Sequence, residues 1–278
     1  MAGKKGLKTI FLISLLILTE MPSPLDLLSL IYPGPREAVE EAQRDGALRA
    51  LHTRAGPDNP GAFALIDRPD FVVSYLSFAT DLRDDFIPLI LDGLQPYIIP
   101  GQAREVCCNV NGRNPRAIHL VQSLGFRLDM HGAKLAYRGP RLPMPYDPAW
   151  RPAGYRPGTA PAFAALLDRA YQPILQAIGG EQKPHTRDLA GFTRDLETLE
   201  SSGGVYAFWI GERLAAACLV RGDYIRDLAV DPACQNQGLG SAVLAAVVND
   251  RLAHGASEVR LDVALANRGA QRFYARHG

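Results

Sequence analysis

From Asp231 the chain reads Asp-Pro-Ala-Cys-Gln-Asn-Gln-Gly-Leu-Gly-Ser, and Leu239, Val243, Leu244, Val247, Val248 and Leu252 then recur at helical spacing as far as Gly255. An apolar strand-like run, Asp223–Val230, leads into this segment. A strand entering a glycine-bearing loop that opens a helix is suited to hold an anion. Glycine lets a ligand approach the backbone, the first-turn N–H groups lack helical acceptors, and the helix dipole favours negative charge at that end. The loop is neither of the two best-known phosphate binders: G-x-x-x-x-G-K-[ST] is absent, and Gly238-Leu239-Gly240 is not continued by x-x-G.

Other chemistries find less support in the residues. Cys107, Cys108, Cys218 and Cys234 form no C-x-x-C pair, and no two histidines stand at metal-ligand spacing, so neither a metal site nor a disulfide framework is expected. Ser241 is not set in a G-x-S-x-G elbow, which argues against a serine hydrolase. His52, His119, His131, His185, His254 and His277 are scattered and read as surface or cap residues.

The elements that must position the loop follow from composition and pattern. The chain has 278 residues, 47% of them hydrophobic, which is enough for two cores. Thirty basic residues against 29 acidic ones leave a net charge of +1, which argues against a nucleic-acid partner held by charge. No run of 18 or more apolar residues occurs, so no membrane partner is expected and the location reads as cytoplasmic. Lys4, Lys5 and Lys8 precede the apolar run Ile10–Leu18, which has some character of a secretory leader but no small-x-small cleavage site, and reads as a buried strand. Arg36–Arg49 reads as a solvated helix. Seven prolines between Pro140 and Pro161 remove backbone donors and mark an extended connector. The organisation expected is a first domain over 1–139, a linker over 140–154 and a second domain over 155–278.

A shift of 153 residues aligns 103–125 (AREVCCNVNGRNPRAIHLVQSLG) with 256–278 (ASEVRLDVALANRGAQRFYARHG) without a gap. Seven positions are identical: Ala103/Ala256, Glu105/Glu258, Val106/Val259, Val110/Val263, Asn114/Asn267, Ala117/Ala270 and Gly125/Gly278. Each copy reads as a strand, a polar turn with Asn at a helix N-cap, and a helix ending at Gly, so a domain is duplicated. The first copy continues through 126–139 as two apolar runs about His131-Gly132, read as a hairpin. The second stops at Gly278 and so is expected to lack that closing hairpin. Gly204–Ile210 and Arg213–Val220, joined by Gly211-Glu212, read as a further hairpin ahead of the loop.

Val230-Asp-Pro-x-x-Gln235-x-Gln237-Gly238-x-Gly240 resembles the Q/R-x-x-G-x-G/A loop of the GNAT superfamily of N-acetyltransferases. Leu261-x-Val263-x3-Asn267-x2-Ala270-x2-Phe273-Tyr274-x3-Gly278 is similar to its second signature. The two stand in the family's order and cover about 155–278; 103–139 resembles the second signature alone. The resemblance implies an α/β protein of two tandem acetyltransferase domains, each a mixed, mostly antiparallel sheet flanked by helices. It also implies acetyl-CoA as co-substrate, with no metal, and a small-molecule or peptide amine as acceptor. By the same resemblance the pyrophosphate lies on Gln235, Asn236, Gln237, Gly238, Leu239, Gly240 and Ser241. The pantetheine arm lies on Leu228, Ala229 and Val230, Asn267 contacts that arm, and Tyr274 protonates the departing thiolate. Asp223, Tyr224 and Asp227 are candidate bases, and strand alternation sets Tyr224 on the face opposite the other two. In the first copy Leu82, Arg83, Asp84, Asp85, Phe86 and Ile87 stand opposite Gln235–Gly240 and Val121 opposite Tyr274, while Pro88 and Pro96 interrupt the helix. That copy is expected to have lost cofactor binding. The alternative to an enzyme is a non-catalytic acyl-CoA-binding protein.

Overall fold

The computed structural model describes residues 8–14, 23–32, 34–56, 58–69, 71–99, 104–177 and 184–278. The chain divides into two compact units, Met1–Lys134 and Leu135–Gly278.

In the first unit the strand order is β2 (Leu48–Arg54), β3 (Gly61–Asp67), β4 (Phe71–Phe78), β5 (Glu105–Asn111), β1 (Lys8–Ser14) and β6 (Arg127–Tyr137), the last continuing to the start of the second unit. β2, β3 and β4 form an antiparallel meander, and β4 and β5 are parallel. β3 and β4 are buried along almost their whole length, which requires apolar cover on both faces. One face packs Phe63, Leu65, Leu76 and Phe78 with Ile90 and Leu94 of α2 (Ile87–Leu94) and Ala117 and Val121 of α3 (Pro115–Ser123). The other packs Ala62, Ala64 and Ile66 with Leu28, Ile31 and with Val39 and Ala42 of α1 (Pro35–Asp45).

Several local expectations change. The helix read over Arg36–Arg49 ends at Gly46, in the left-handed region with φ 77°, and Arg49 lies in β2. Pro88 sits in the first turn of α2, where a missing N–H costs no hydrogen bond, and Pro96 lies just beyond the helix end, so the prolines bound the helix rather than interrupt it. Residues 127–137 form one continuous strand, not a hairpin about His131-Gly132; β1 runs parallel beside it, with Leu12 opposite His131 and Ile13 opposite Gly132, and holds it extended. Of the apolar run Ile10–Leu18, residues 10–14 lie in β1, and 15–18 fall outside the described residues.

The second unit carries β7 (Arg151–Ala153), β8 (Val205–Ile210), β9 (Arg213–Arg221), β10 (Tyr224–Val230) and β11 (Val259–Ala264), in the order β11-β10-β9-β8-β7. β9 is buried from Leu214 to Val220. Phe163, Leu166 and Leu167 of α4 (Ala160–Ala177) and Phe192, Leu196 and Leu199 of α5 (Leu189–Ser201) pack on Ala207, Ala217, Leu219 and Ala229. α6 (Leu239–Ala253) packs on β8, β9, β10 and β11, and α7 (Arg268–Ala275) follows β11. The proline-rich stretch is not a free connector. Leu142 is clamped on both backbone groups by the Asn249 amide of α6 (2.7 and 2.9 Å), and Arg151–Ala153 adds a strand to β8.

The two aligned asparagines do different work. Asn267 caps α7 by accepting from Ala270 N (3.0 Å). Asn114 holds the N-cap position of α3 without capping it. Its buried amide accepts from Phe78 N and donates to the carbonyls of Phe78 and Thr80, tying off the end of β4.

Candidate active site

β10 and β11 pair in parallel at only two positions, Tyr224 with Arg260 and Ile225 with Leu261, after which the strands part. The corresponding strands of the first unit, β4 and β5, pair at six consecutive positions and leave no opening. On its other side β10 follows β9 as far as Val230, and Asp231 N donates to Ala215 O (2.8 Å). Antiparallel ladders alternate bonded and unbonded pairs, so Asp231 and Ala229 direct their backbone groups at β9, and Leu228 and Val230 direct theirs into the gap. Of the three residues expected to meet an extended ligand arm, Leu228 and Val230 therefore offer backbone groups. Ala229 instead spends its groups on β9.

Beyond the gap, Asp231 caps a short turn by accepting from Ala233 N (3.0 Å) and also takes Arg169 of α4 (2.8 Å). Burial acts to raise its pKa, but the Ala233 N–H and the Arg169 guanidinium hold the carboxyl below its usual range. The loop's one carboxylate is thus turned inward and neutralised. Arg213 donates to the sulfur of buried Cys234. Asn236 and Gly238 then take left-handed backbone angles, φ 59° and 86°. No acceptor among the described residues faces the N–H groups of Gln237, Gly238, Leu239, Gly240 and Ser241; the first bonded amide of α6 is Ala242, to Gly238 O (3.0 Å). Gln235 folds back onto the Val230 carbonyl (3.2 Å), and Gln237 onto Ala233 O (3.3 Å). The Trp150 ring lies 3.6 Å from where a Cβ on Gly238 would stand. Consecutive free N–H groups at a helix start, with the only nearby carboxylate paired elsewhere, fit a diphosphate.

Tyr274 lies on α7, its ring edge-on to Phe273, and Phe273 in turn reaches Gly240 of the loop. Burial pushes the Tyr274 phenol above its ordinary value, so it is protonated at neutral pH; the thiol of Cys218 on β9 adds to this. Tyr171 of α4, half-buried and likewise raised by desolvation, feels Asp227, Tyr274 and Cys218, so these four groups share one electrostatic neighbourhood. No described residue hydrogen-bonds the Tyr274 hydroxyl, which leaves it able to donate to a ligand.

The three candidate bases are all engaged. Asp223 pairs with Arg260 (2.7 Å) and Tyr224 donates to Asp262 (3.0 Å). Asp227 accepts from Tyr171 (2.9 Å) and from Arg226 (2.7 Å), whose guanidinium also reaches Asp195 of α5. The expectation that Tyr224 and Asp227 lie on opposite faces does not survive. The β9 register slips between Ile225 and Asp227, leaving Arg226 as an extra residue that breaks strict alternation, and the Asp227 charge acts on the Tyr224 phenol. Asn267 spends its side-chain oxygen on the α7 cap, so only its amide nitrogen remains for a ligand.

Sequence reasoning missed Tyr171, Arg226, Asp195 and Arg169, because their partners lie 31 to 62 residues away and no spacing signals them. Two of the histidines expected to be surface or cap residues have side-chain partners. His185 bonds Asp168 through Nδ1 (2.8 Å), and His277 reaches Ser241 in the loop (3.0 Å). In the first unit, Asp84 pairs with Arg116 and Asp85 with Arg54 and Arg83, placing carboxylates at the strand-to-helix junction.

The open strand pair, the glycine loop and the half-buried Tyr274 coincide with a sequence match. The profile of the acetyltransferase (GNAT) family aligns with residues 165–278. The chain carries a GNAT-family domain. Three solved structures extend the likeness of fold over most of the chain. A GCN5-related N-acetyltransferase from Sphaerobacter thermophilus is 17% identical with TM-score 0.50, covering 88% of this chain and 81% of that one. A tandem GNAT protein from the clavulanic acid biosynthesis pathway is 15% identical with TM-score 0.51, covering 91% and 88%. A Drosophila protein is 15% identical with TM-score 0.52, covering 91% and 90%. At these identities the likeness is one of fold. Curated protein sequences give no match. The fold is thus the mixed α/β architecture of tandem GNAT proteins. No helix among the described residues is long and apolar enough to cross a membrane, and no three of their His, Cys, Asp or Glu side chains are grouped to hold a metal ion.

Proposed function

We propose that the GNAT domain transfers an acetyl group from acetyl-CoA to a primary amine of a small molecule or peptide. The observation that carries this reading is the gap between β10 and β11 opening directly onto a loop whose N–H groups are free. Gln235–Ser241 would hold the diphosphate, and Leu228 and Val230 the amide-bearing arm. The thioester supplies an activated acyl group; the chain's contribution is to hold it in place and to manage one proton. Tyr274, kept protonated by burial, is suited to donate to the departing sulfur. Because Asp223, Tyr224 and Asp227 are each committed to a partner, the acceptor is read as entering in its unprotonated form, with its second proton lost to water. The first unit, closed between β4 and β5, is read as a degenerate copy without cofactor. The protein is read as cytoplasmic, a reducing setting in which its cysteines stay thiols.

The test is release of CoA thiol from acetyl-CoA across a panel of primary amines, with acetyl-CoA binding measured in parallel by calorimetry. Turnover with at least one amine, lost in Tyr274→Phe while binding persists, is the expected result. Binding without turnover on any amine would replace the enzyme with an acyl-CoA-binding protein, and absence of binding would remove the reading of the loop.

A further inference from the structure

Ser241 is the third residue of α6 and brings the only hydroxyl among the loop residues Gln235–Ser241. Its Oγ lies 3.0 Å from His277 Nε2, and His277 Nδ1 lies 2.8 Å from the Phe273 carbonyl. A carbonyl only accepts, so Nδ1 carries a proton in either charge state of the ring. In the neutral ring Nε2 is therefore a lone pair, and Ser241 must point its single hydrogen at it. The loop then meets only the lone pairs of Oγ, which repel phosphate oxygens. In the charged ring Nε2–H donates to Oγ instead, the serine hydrogen is released toward the loop, and a positive charge stands one bond behind it.

We infer that His277 is a positioning residue whose protonation turns Ser241 from an acceptor into a donor for the diphosphate of the co-substrate. This rests on the reading of the loop as a diphosphate site. The arrangement is not that of a hydrolase nucleophile: a carbonyl, not a carboxylate, orients the imidazole, and the serine opens a helix. The groups facing His277 are Ser241 from α6 and the Phe273 ring at 4.6 Å from α7. Among the described side chains no carboxylate is ion-paired with it, and the titratable or charged side chains nearest along the chain are Arg272 and Tyr274 of α7 and Arg276 just beyond its end. No neighbour is thus placed to supply the proton-linked change in its stead.

The consequence is proton uptake on binding. Dephospho-coenzyme A is the suitable probe, because its diphosphate does not itself titrate where imidazoles do. Its affinity should be measured calorimetrically from about pH 8 to about pH 6, the range of imidazole titration, in buffers of different ionisation enthalpy. Wild type is expected to bind on the order of tenfold more tightly at the lower pH, the scale of one charge-assisted hydrogen bond, with protons taken up. His277→Gln keeps a donor toward Ser241 but cannot titrate, and should bind with a flat pH profile and no proton uptake. Ser241→Ala removes the hydroxyl and should lose the low-pH gain, so that its affinity no longer rises as pH falls. An unchanged pH slope in His277→Gln would overturn the inference and leave the loop reading intact. No binding by wild type at any pH would overturn both.

Discussion

Two glycines, two residues apart in the loop, are expected to respond to the same substitution in opposite ways. Gly238 holds φ at 86°, and a Cβ there would meet only the Trp150 ring at 3.6 Å, so space is not the constraint. The left-handed backbone is. An alanine in that region costs roughly 1–2 kcal/mol, offset in part by the smaller conformational freedom of the unfolded chain, so Gly238→Ala should lose about 1 kcal/mol. Gly240 has no positive φ, and its Cβ would stand 3.4 Å from Phe273 and 3.5 Å from Val230, ordinary contacts. Alanine also favours the helix over glycine by up to about 1 kcal/mol, so Gly240→Ala should be neutral or stabilising. Asparagine tolerates the left-handed region better than alanine, so Gly238→Asn should fall between glycine and alanine. Denaturant unfolding without ligand measures the stability difference, and calorimetry with coenzyme A measures its cost to binding. If the bound loop must keep the native angle, Gly238→Ala should also weaken binding by about tenfold, the equivalent of about 1.4 kcal/mol. Equal destabilisation by both alanines, or a silent Gly238→Ala, would refute the account of the loop.

Tyr274→Phe is expected to lower kcat by about two to four orders of magnitude with coenzyme A affinity little changed, as read by steady-state kinetics and calorimetry. Asp227→Ala removes the acceptor of the half-buried Tyr171 hydroxyl and leaves the Arg226 guanidinium with Asp195 alone, and should lower stability by about 1 kcal/mol in chemical unfolding. Burial raises Tyr171, Tyr206, Tyr224 and Tyr274 in the folded state, so above about pH 10 the unfolded chain binds fewer protons than the folded one. Melting temperature should therefore fall as pH rises beyond that point, and Tyr171→Phe should weaken the dependence. Asp231 has the opposite sign: its lowered value means that stability present above about pH 4 is lost on acidification, and Asp231→Asn should flatten that limb.

What was legible in the sequence was local. The loop announces itself because glycine spacing, a preceding strand and a following apolar helix lie within thirty residues of one another, and the family match covers the same stretch. The hairpin Gly204–Val220 was legible for the same reason, its turn held at Gly211 with φ 58°. The failures arose where a distant partner decides. His131-Gly132 looks like a turn until β1 is laid beside it, and the proline stretch looks unstructured until Asn249 clamps Leu142. The carboxylates of β10 read as available bases because nothing in their surroundings along the chain reveals Tyr171, Arg260 or Asp195. The bulge at Arg226 was invisible for a related reason: an extra residue in one strand is defined only against the strand opposite.

The parting of β10 from β11 also bears on inhibition. A pair of strands that separate inside a sheet presents the same ladder of donors and acceptors as a sheet rim, but walled in by its own domain. An extended backbone of any origin can complete such a ladder, as peptides do when they add a strand to an exposed edge. Short peptidomimetics with small side chains, directed at Leu228 and Val230 rather than at the loop, would compete for the gap without carrying a phosphate. β4 and β5, paired at six consecutive positions, present no such gap along that stretch, so among the described strand pairs β10 and β11 are where these compounds should be titrated.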